Sequence, residues 1–314
     1  MKEVVNESLR VGVERAYAFA LRTLLKVVPR RARLRIARNV YNFDYSSVRG
    51  FHAVLPYCDG LRFKLNTKEV IGWRIFFSGE YEPCTNAAIR AVCRPGDMVI
   101  DAGANNGSET LLAALLVGAK GRVYAFEPVP HVNGQLADNV RLNRLENIVS
   151  LETVALGPDE RAVSFFLMPD SVPNQGMSSQ FRYSGCSETL QVRQRSLDNW
   201  AAECKLERLD LLKMDIQGGE LGLLEGGRAT ISHHLPAIIA EAGVAEQEQA
   251  GRSLRELWAH LNDVKYDVWC FGTRGLTATR IRGDGSLPEG LWLGVARQKR
   301  ELIDRLRAEC LIAN

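Results

Sequence analysis

The chain has 314 residues, 46% hydrophobic and 25% charged, with a net charge of +3 at pH 7, the balance of an ordinary globular protein with ample core. No run of about 18 uncharged apolar residues occurs, which argues against a transmembrane helix. The seven scattered cysteines include no CxxC pair and no Cys/His cluster of zinc spacing, so they read as reduced thiols, and without a signal-peptide pattern at the N-terminus a cytoplasmic protein is expected.

Charge is unevenly spread. Residues 1–40 hold ten basic and three acidic residues, +7 in all, and the remainder carries −4. Within residues 1–28, Val5, Leu9, Val13, Ala16, Tyr17, Ala20, Leu21, Leu24 and Leu25 recur at helical spacing among basic residues, which predicts an amphipathic helix ended by Pro29. Such a helix either packs on the body or makes a peripheral contact at a membrane surface or another anionic partner. Residues 51–80 read as short strands and turns, with Phe51 to Leu55 and Leu61 to Leu65 as strands. Residues 1–80 are therefore an N-terminal extension, and 81–314 the main domain.

From residue 85 helices and strands alternate. A helix over Thr85 to Cys93 leads through Pro95-Gly96 into the strand Met98 to Asp101, then a Gly/Asn-rich turn and a helix over 108–118. The strand Val123 to Glu127, a helix over 131–142 and the strand Ile148 to Val154 follow, with further strands at Ala162 to Leu167, Leu190 to Arg193 and Leu209 to Asp215. The strand Ala237 to Glu241, a helix over 252–262 and the strands Tyr266 to Phe271 and Leu291 to Ala296 complete the series. Strands separated by helices imply an α/β fold with a doubly wound, mostly parallel sheet, its last two strands forming an antiparallel hairpin at the edge.

The segment Val99-Ile100-Asp101-Ala102-Gly103-Ala104-Asn105-Asn106-Gly107 carries the most chemistry. An apolar strand ends in an acid and turns on glycines at the sheet edge where such folds bind ligands. Gly103 and Gly107 are expected to let the backbone approach a ligand. Glu127 ends the next strand, where a carboxylate accepts the ribose hydroxyls of an adenosine group. A dinucleotide site wants G-x-G-x-x-G and a pyrophosphate at the helix N-terminus. Here the spacing is Gly103-x-x-x-Gly107, and a carboxylate at 101 would repel a pyrophosphate. It would favour the ammonium and sulfonium groups of S-adenosylmethionine. A purely structural glycine turn and a nicotinamide or flavin site are the competing readings.

Asp101 to Gly107, Phe126-Glu127-Pro128, Asn139-x-x-x-Asn143, Leu212-Lys213-Met214-Asp215-Ile216-Gln217-Gly218-Gly219-Glu220, Ile238 to Glu241 and the entry segment Gly79-Glu80-Tyr81-Glu82-Pro83 together resemble the FkbM family of methyltransferases, over roughly residues 79–242. The resemblance implies a class I methyltransferase fold with a seven-stranded sheet, S-adenosylmethionine as cofactor, and methylation of a hydroxyl on a sugar, glycan precursor or natural product. It implies that Asp101, Gly103, Ala104, Asn105 and Gly107 line the methionine end, with Glu82 reaching the same end. Glu127 and Pro128 would hold the ribose, and Val154-Ala155-Leu156 would lie along the adenine. The family commonly has Asp-Val-Glu-Gly where this chain has Asp215-Ile216-Gln217-Gly218, so a carboxylate is missing at 217.

An alcohol oxygen attacks well only once its proton is removed, and Asp215, His131 and Glu241 are the candidate bases. His233-His234 reads as a helix end meeting the dipole rather than as a metal site. The polar stretch Asp170 to Gly185 could close over the acceptor through Ser178, Ser179 and Arg182, or be a plain surface loop. A nucleic-acid methyltransferase is the rival enzyme, yet position 215–218 has neither the Pro-Pro-aromatic motif nor a Pro-Cys nucleophile. A cofactor-binding protein without catalysis is the third reading.

Overall fold

The computed structural model describes residues 51–168, 178–181, 188–271, 277–309 and 311–312, besides Thr23 and Val28. The helix predicted over residues 1–28, Arg182 and most of the loop 170–185 lie outside the described residues. Among the described residues no helix is long and apolar enough to cross a membrane. The chain divides into two compact units, one ending at Tyr81 and one beginning at Glu82.

In the first unit β1 (His52–Tyr57) and β2 (Leu61–Asn66) form an antiparallel hairpin. The alternation in LRFKLN puts Leu61, Phe63 and Leu65 on its buried face. Helix α1 (Val70–Ser78) follows, where only strands and turns were expected. Its Val70, Ile71, Trp73, Ile75, Phe76 and Phe77 are β-branched or aromatic, residues that favour strands locally. All are buried, and their packing overrides that preference: Trp73 and Phe77 meet edge-on at 4.4 Å, Phe51 and Phe76 at 5.5 Å. Gly79, at φ +82, ends the helix with its N–H on Ile75 O.

The second unit opens with α2 (Pro83–Val92) and β3 (Met98–Ala102), followed by α3 (Ser108–Val117), β4 (Arg122–Phe126), α4 (Pro130–Leu142) and β5 (Val149–Glu152). Then come β6 (Ala155–Gly157), β7 (Arg161–Leu167), β8 (Glu188–Ser196), α5 (Leu197–Glu203) and β9 (Leu211–Met214). Helices α6 (Glu220–Gly226) and α7 (Arg228–His234) lead to β10 (Ala237–Ala242), α8 (Val244–Gln249), α9 (Leu254–Asp263), β11 (Tyr266–Phe271), β12 (Ala278–Ile281), β13 (Gly290–Ala296) and α10 (Arg300–Ala308). His233 and His234 lie in the last turn of α7.

The main sheet runs β12-β11-β13-β10-β9-β3-β4-β5. Its five strands from β10 to β5 are mutually parallel, which is the doubly wound α/β fold of class I methyltransferases. The sheet has eight strands, one more than the resemblance implies, because β12 adds an outer edge. The late hairpin is antiparallel as expected, but β13 inserts between β10 and β11 instead of staying at the edge. The apolar run Leu291 to Ala296 suits that interior place, where both faces are covered. The strand expected over Ile148 to Val154 divides. Glu152 still pairs with Phe126 in the main sheet, whereas Ala155 pairs with Gln194 in a small sheet β6-β8-β7.

The central strands are apolar runs because helices cover both faces. Ile100, Phe126, Leu212, Ile238 and Trp292 form one buried cluster, and Trp200 packs edge-on against Tyr124 at 4.8 Å and Phe126 at 5.0 Å. β3 pairs with β4 on one side and β9 on the other, so the chain direction of travel reverses there. A crevice opens beyond their carboxyl ends. Leu212→Ala, at a site with no exposed surface, is expected to lower stability by about 2–5 kcal/mol. Urea unfolding measures the loss, and an unshifted midpoint would contradict this account of the core.

Candidate functional site

The turn after β3 is held from below by an ion pair. Lys213, in the middle of the buried run Leu211 to Met214, places Nζ 3.0 Å from Asp101 Oδ1 and donates to Gly103 O at 2.9 Å. Thr110 Oγ1 donates to Asp101 Oδ2 at 2.6 Å. Burial by itself would depress the lysine, but the Asp101, Asp215 and Glu109 carboxylates hold it well above its ordinary value. Asp101 is 2% exposed. Its carboxylate is thus occupied by Lys213 and Thr110, where the charge argument from sequence expected it to face a cationic ligand. Glu109, beside them, is pushed up to about 8 by burial.

The glycines also serve the chain itself. A Cβ at Gly103 would collide with the Asp215 carbonyl, and one at Gly107 with Leu136. Their φ values of +77 and +95 are left-handed as well. Both positions therefore need glycine for packing between elements as well. Asn139 Nδ2 donates to Asn106 O at 2.9 Å and Asn143 Nδ2 to Asn139 O at 2.8 Å, which ties the turn to α4.

Glu127, just past β4, accepts Asn105 N–H at 3.1 Å and Val129 N–H at 2.8 Å. Asn133 Nδ2 holds its main-chain oxygen at 3.0 Å. Burial pushes the Glu127 carboxyl up to about 7, against the two amide bonds that pull it down.

A cavity with about 610 Å³ of empty space, part of it open to solvent, lies along these turns. Gly103, Asn105, Glu127, Pro128, Ala155 and Asp215, all singled out from sequence, line it. Ala104, Gly107, Glu82, Asp101, His131 and Glu241 are not on its wall. His131 is exposed on the first turn of α4. Glu241 reaches the site through Gln217, whose Nε2 donates to Asp215 Oδ1 at 2.9 Å and Glu241 Oε2 at 3.1 Å. Ser179 is buried, and its hydroxyl donates to Gln217 O at 3.1 Å, so it braces a turn instead of facing an acceptor. Glu82, Asn105 and Gln217 all have positive φ, a concentration of uncommon backbone near the site.

Sequence reasoning missed the partners that fix the walls. Phe165, Ser178, Gln180, Ile216 and Gln217 also line the cavity; of these only Ser178 had been named as a contact. Glu220 accepts Ile216 N–H at 2.9 Å, Gly218 N–H at 3.0 Å and Gln247 Nε2 at 2.6 Å. A lone lysine inside an apolar strand was the available signal, since a buried ammonium requires a counter-charge nearby.

Residues 101–268 match the sequence profile of the Methyltransferase FkbM domain. The 2-O-methyltransferase NoeI of Sinorhizobium fredii is 26% identical over 148 residues, 44% of this chain and 60% of that protein. The ribosomal protein L11 methyltransferase of Bacillus cytotoxicus is 38% identical over 72 residues, 22% of each chain. The chain thus spans at most about 60% of the length of these curated relatives. The crystal structure of methyltransferase FkbM from Methylobacillus flagellatus KT aligns with a TM-score of 0.43 at 17% identity, over 70% of this chain and 52% of that one.

Lys213→Met leaves Asp101 and Glu109 buried without their cation and is expected to cost about 3–5 kcal/mol. Adding Asp101→Asn should recover part of the loss, because one buried charge is removed. Unfolding of the single and double variants gives the coupling, and strictly additive losses would contradict the pairing.

Proposed function

The chain belongs to the FkbM family of methyltransferases, and from that premise we propose that it transfers the methyl group of S-adenosylmethionine to a hydroxyl oxygen of a small-molecule or saccharide acceptor. The observation that carries this reading is Glu127, a carboxylate held by two backbone amides on the wall of a cavity at the sheet's switch point. Its oxygens keep lone pairs for two ribose hydroxyls. Pro128, Ala155 and Leu156 offer apolar wall for an adenine, and the main chain at Gly103 leaves room beside them. These groups fit an adenosyl moiety. S-adenosylmethionine, when bound, supplies a methyl already activated by positive sulfur.

What remains for the protein is alignment and proton removal. Asp215 suits the second task. Burial would raise its carboxyl, but the Lys213 ammonium and the bonds from Glu241 and Gln217 hold it below the ordinary carboxylate value. Its place on the cavity wall, with Gln217 Nε2 on its Oδ1, puts it where an acceptor's proton could be taken. His131 is off the wall, and Glu241 acts with Asp215. A relative named a 2-O-methyltransferase supports oxygen as the accepting atom. The nucleic-acid and membrane-surface readings depend on the basic segment of residues 1–40, and no Lys or Arg is among the described residues lining the cavity.

Calorimetric titration with S-adenosylmethionine or its demethylated product tests the proposal. Binding is expected, and Glu127→Ala should weaken it at least about tenfold through the lost charge-assisted hydrogen bonds. Ribose hydroxyls bond the ionised carboxylate, and Glu127 in the free protein lies at about 7. Affinity should therefore fall as pH drops through 7, approaching tenfold per unit, and Glu127→Gln should flatten that dependence. For stability the sign is opposite. The folded chain keeps a proton that the unfolded chain releases from its ordinary 4.5 upward, so this group's contribution is full below 4.5 and is lost as pH rises through 7. Wild-type protein that takes up neither compound would refute the donor assignment.

A further inference from the structure

Gln217 follows the turn that leaves β9, with a left-handed φ of +52. One amide nitrogen, Nε2, lies within hydrogen-bond reach of both Asp215 and Glu241, and so spans the carboxyl ends of two adjacent parallel strands, β9 and β10. The backbone that carries it is fixed on both sides, by Ser179 Oγ on Gln217 O and by Glu220 on the Gly218 N–H. A primary amide has two N–H donors and no charge, which suits it to two acids at once. Asp215 and Glu241 thus meet at one amide nitrogen, 2.9 and 3.1 Å away, and neighbouring carboxyl groups of this kind share a proton rather than both ionise.

The charged groups around the pair decide where that proton sits. Lys213 faces Asp215 from β9, Glu82 lies ahead of α2, and Glu220 stands at the head of α6. Lys213 is the cation among them, and it lies on the Asp215 side. The Asp215 charge pushes Glu241 up, while Lys213 holds Asp215 down against burial.

We propose that Gln217 is a positioning residue whose amide locks Asp215 and Glu241 into one proton-sharing pair, with Asp215 on the cavity wall as the carboxylate and Glu241 carrying the proton. The purpose of the pair rests on the methyl-transfer reading; its existence does not. On that reading the acceptor's O–H proton passes to Asp215 as the oxygen lone pair forms the bond to the methyl carbon. The C–S electron pair returns to sulfur. The doubly protonated pair then releases one proton to solvent through Glu241, the exposed member.

Carboxyl-carbon NMR of the full chain, labelled at Asp and Glu, tests this without donor or acceptor. Spectra of Asp215→Asn and Glu241→Gln assign the two signals. The wild type should show two coupled steps, one below the ordinary carboxylate range and one well above it, and Asp215→Asn should return Glu241 towards that range. Gln217→Met keeps the side-chain length and loses both donors, and Gln217→Glu replaces them with a third acid. Each should raise the lower step by about one unit, a tenfold change in the proton equilibrium. Two independent titrations in the ordinary range, or a lower step unmoved in either folded variant, would overturn the proposal. If one variant fails to fold, the other carries the test. Absence of donor binding by calorimetry with the two steps intact would count against the methyl-transfer reading alone.

Discussion

A lysine in the middle of a buried strand is the constraint around which this site is arranged. Leu211, Leu212 and Met214 require β9 to lie between covered faces, and Lys213 goes inside with them. An ammonium in that position is tolerable only if it is paired and hydrogen-bonded. The acid that ends β3 and the carbonyl of Gly103 meet that need. The two strands are thereby clamped together at the point where the sheet changes direction, and the turn above them is fixed at its base.

The other turns are braced in the same way, by side chains reaching in from helices α4 and α6. Asn139 on α4 holds the turn at Asn106, Asn133 holds Glu127, and Glu220 gathers the N–H groups of the turn after β9. Gly103 and Gly107 are required because these elements press against one another. The result is a wall of preorganised groups, with left-handed backbone at Asn105 and Gln217 held by its surroundings. Rigid placement of this kind is what an alignment-driven reaction needs from a protein.

Four carboxyl groups within this region take different states because their environments differ. Asp101 is neutralised by a buried lysine. Glu127 sits among backbone amides with its charge poised near neutrality. Asp215 keeps its charge, and Glu241 is pushed towards its protonated form by that neighbour. Separation of like groups by environment lets neighbouring carboxyl groups hold different charge states at one pH.

The alternation of strands and helices from residue 85 onward, the turn at 101–107 and the acids at the ends of β4 and β9 were readable from local pattern alone. Apolar period, glycine placement and acids at strand ends are properties of neighbouring residues in sequence. Helix α1 was not readable, because its aromatic and β-branched residues favour a strand until packing decides otherwise. The insertion of β13 between β10 and β11 was likewise invisible, since pairing partners far apart in sequence leave no local trace. The same limit applied to the site. Nothing adjacent to Asp101 shows that its partner is Lys213, more than a hundred residues away, and nothing adjacent to Gln217 shows that it spans two acids. The sequence by itself determined which groups could bind or ionise; only the tertiary structure decided which of them face the cavity and which are consumed in holding it open, because charge pairing depends on distance through space and not along the chain.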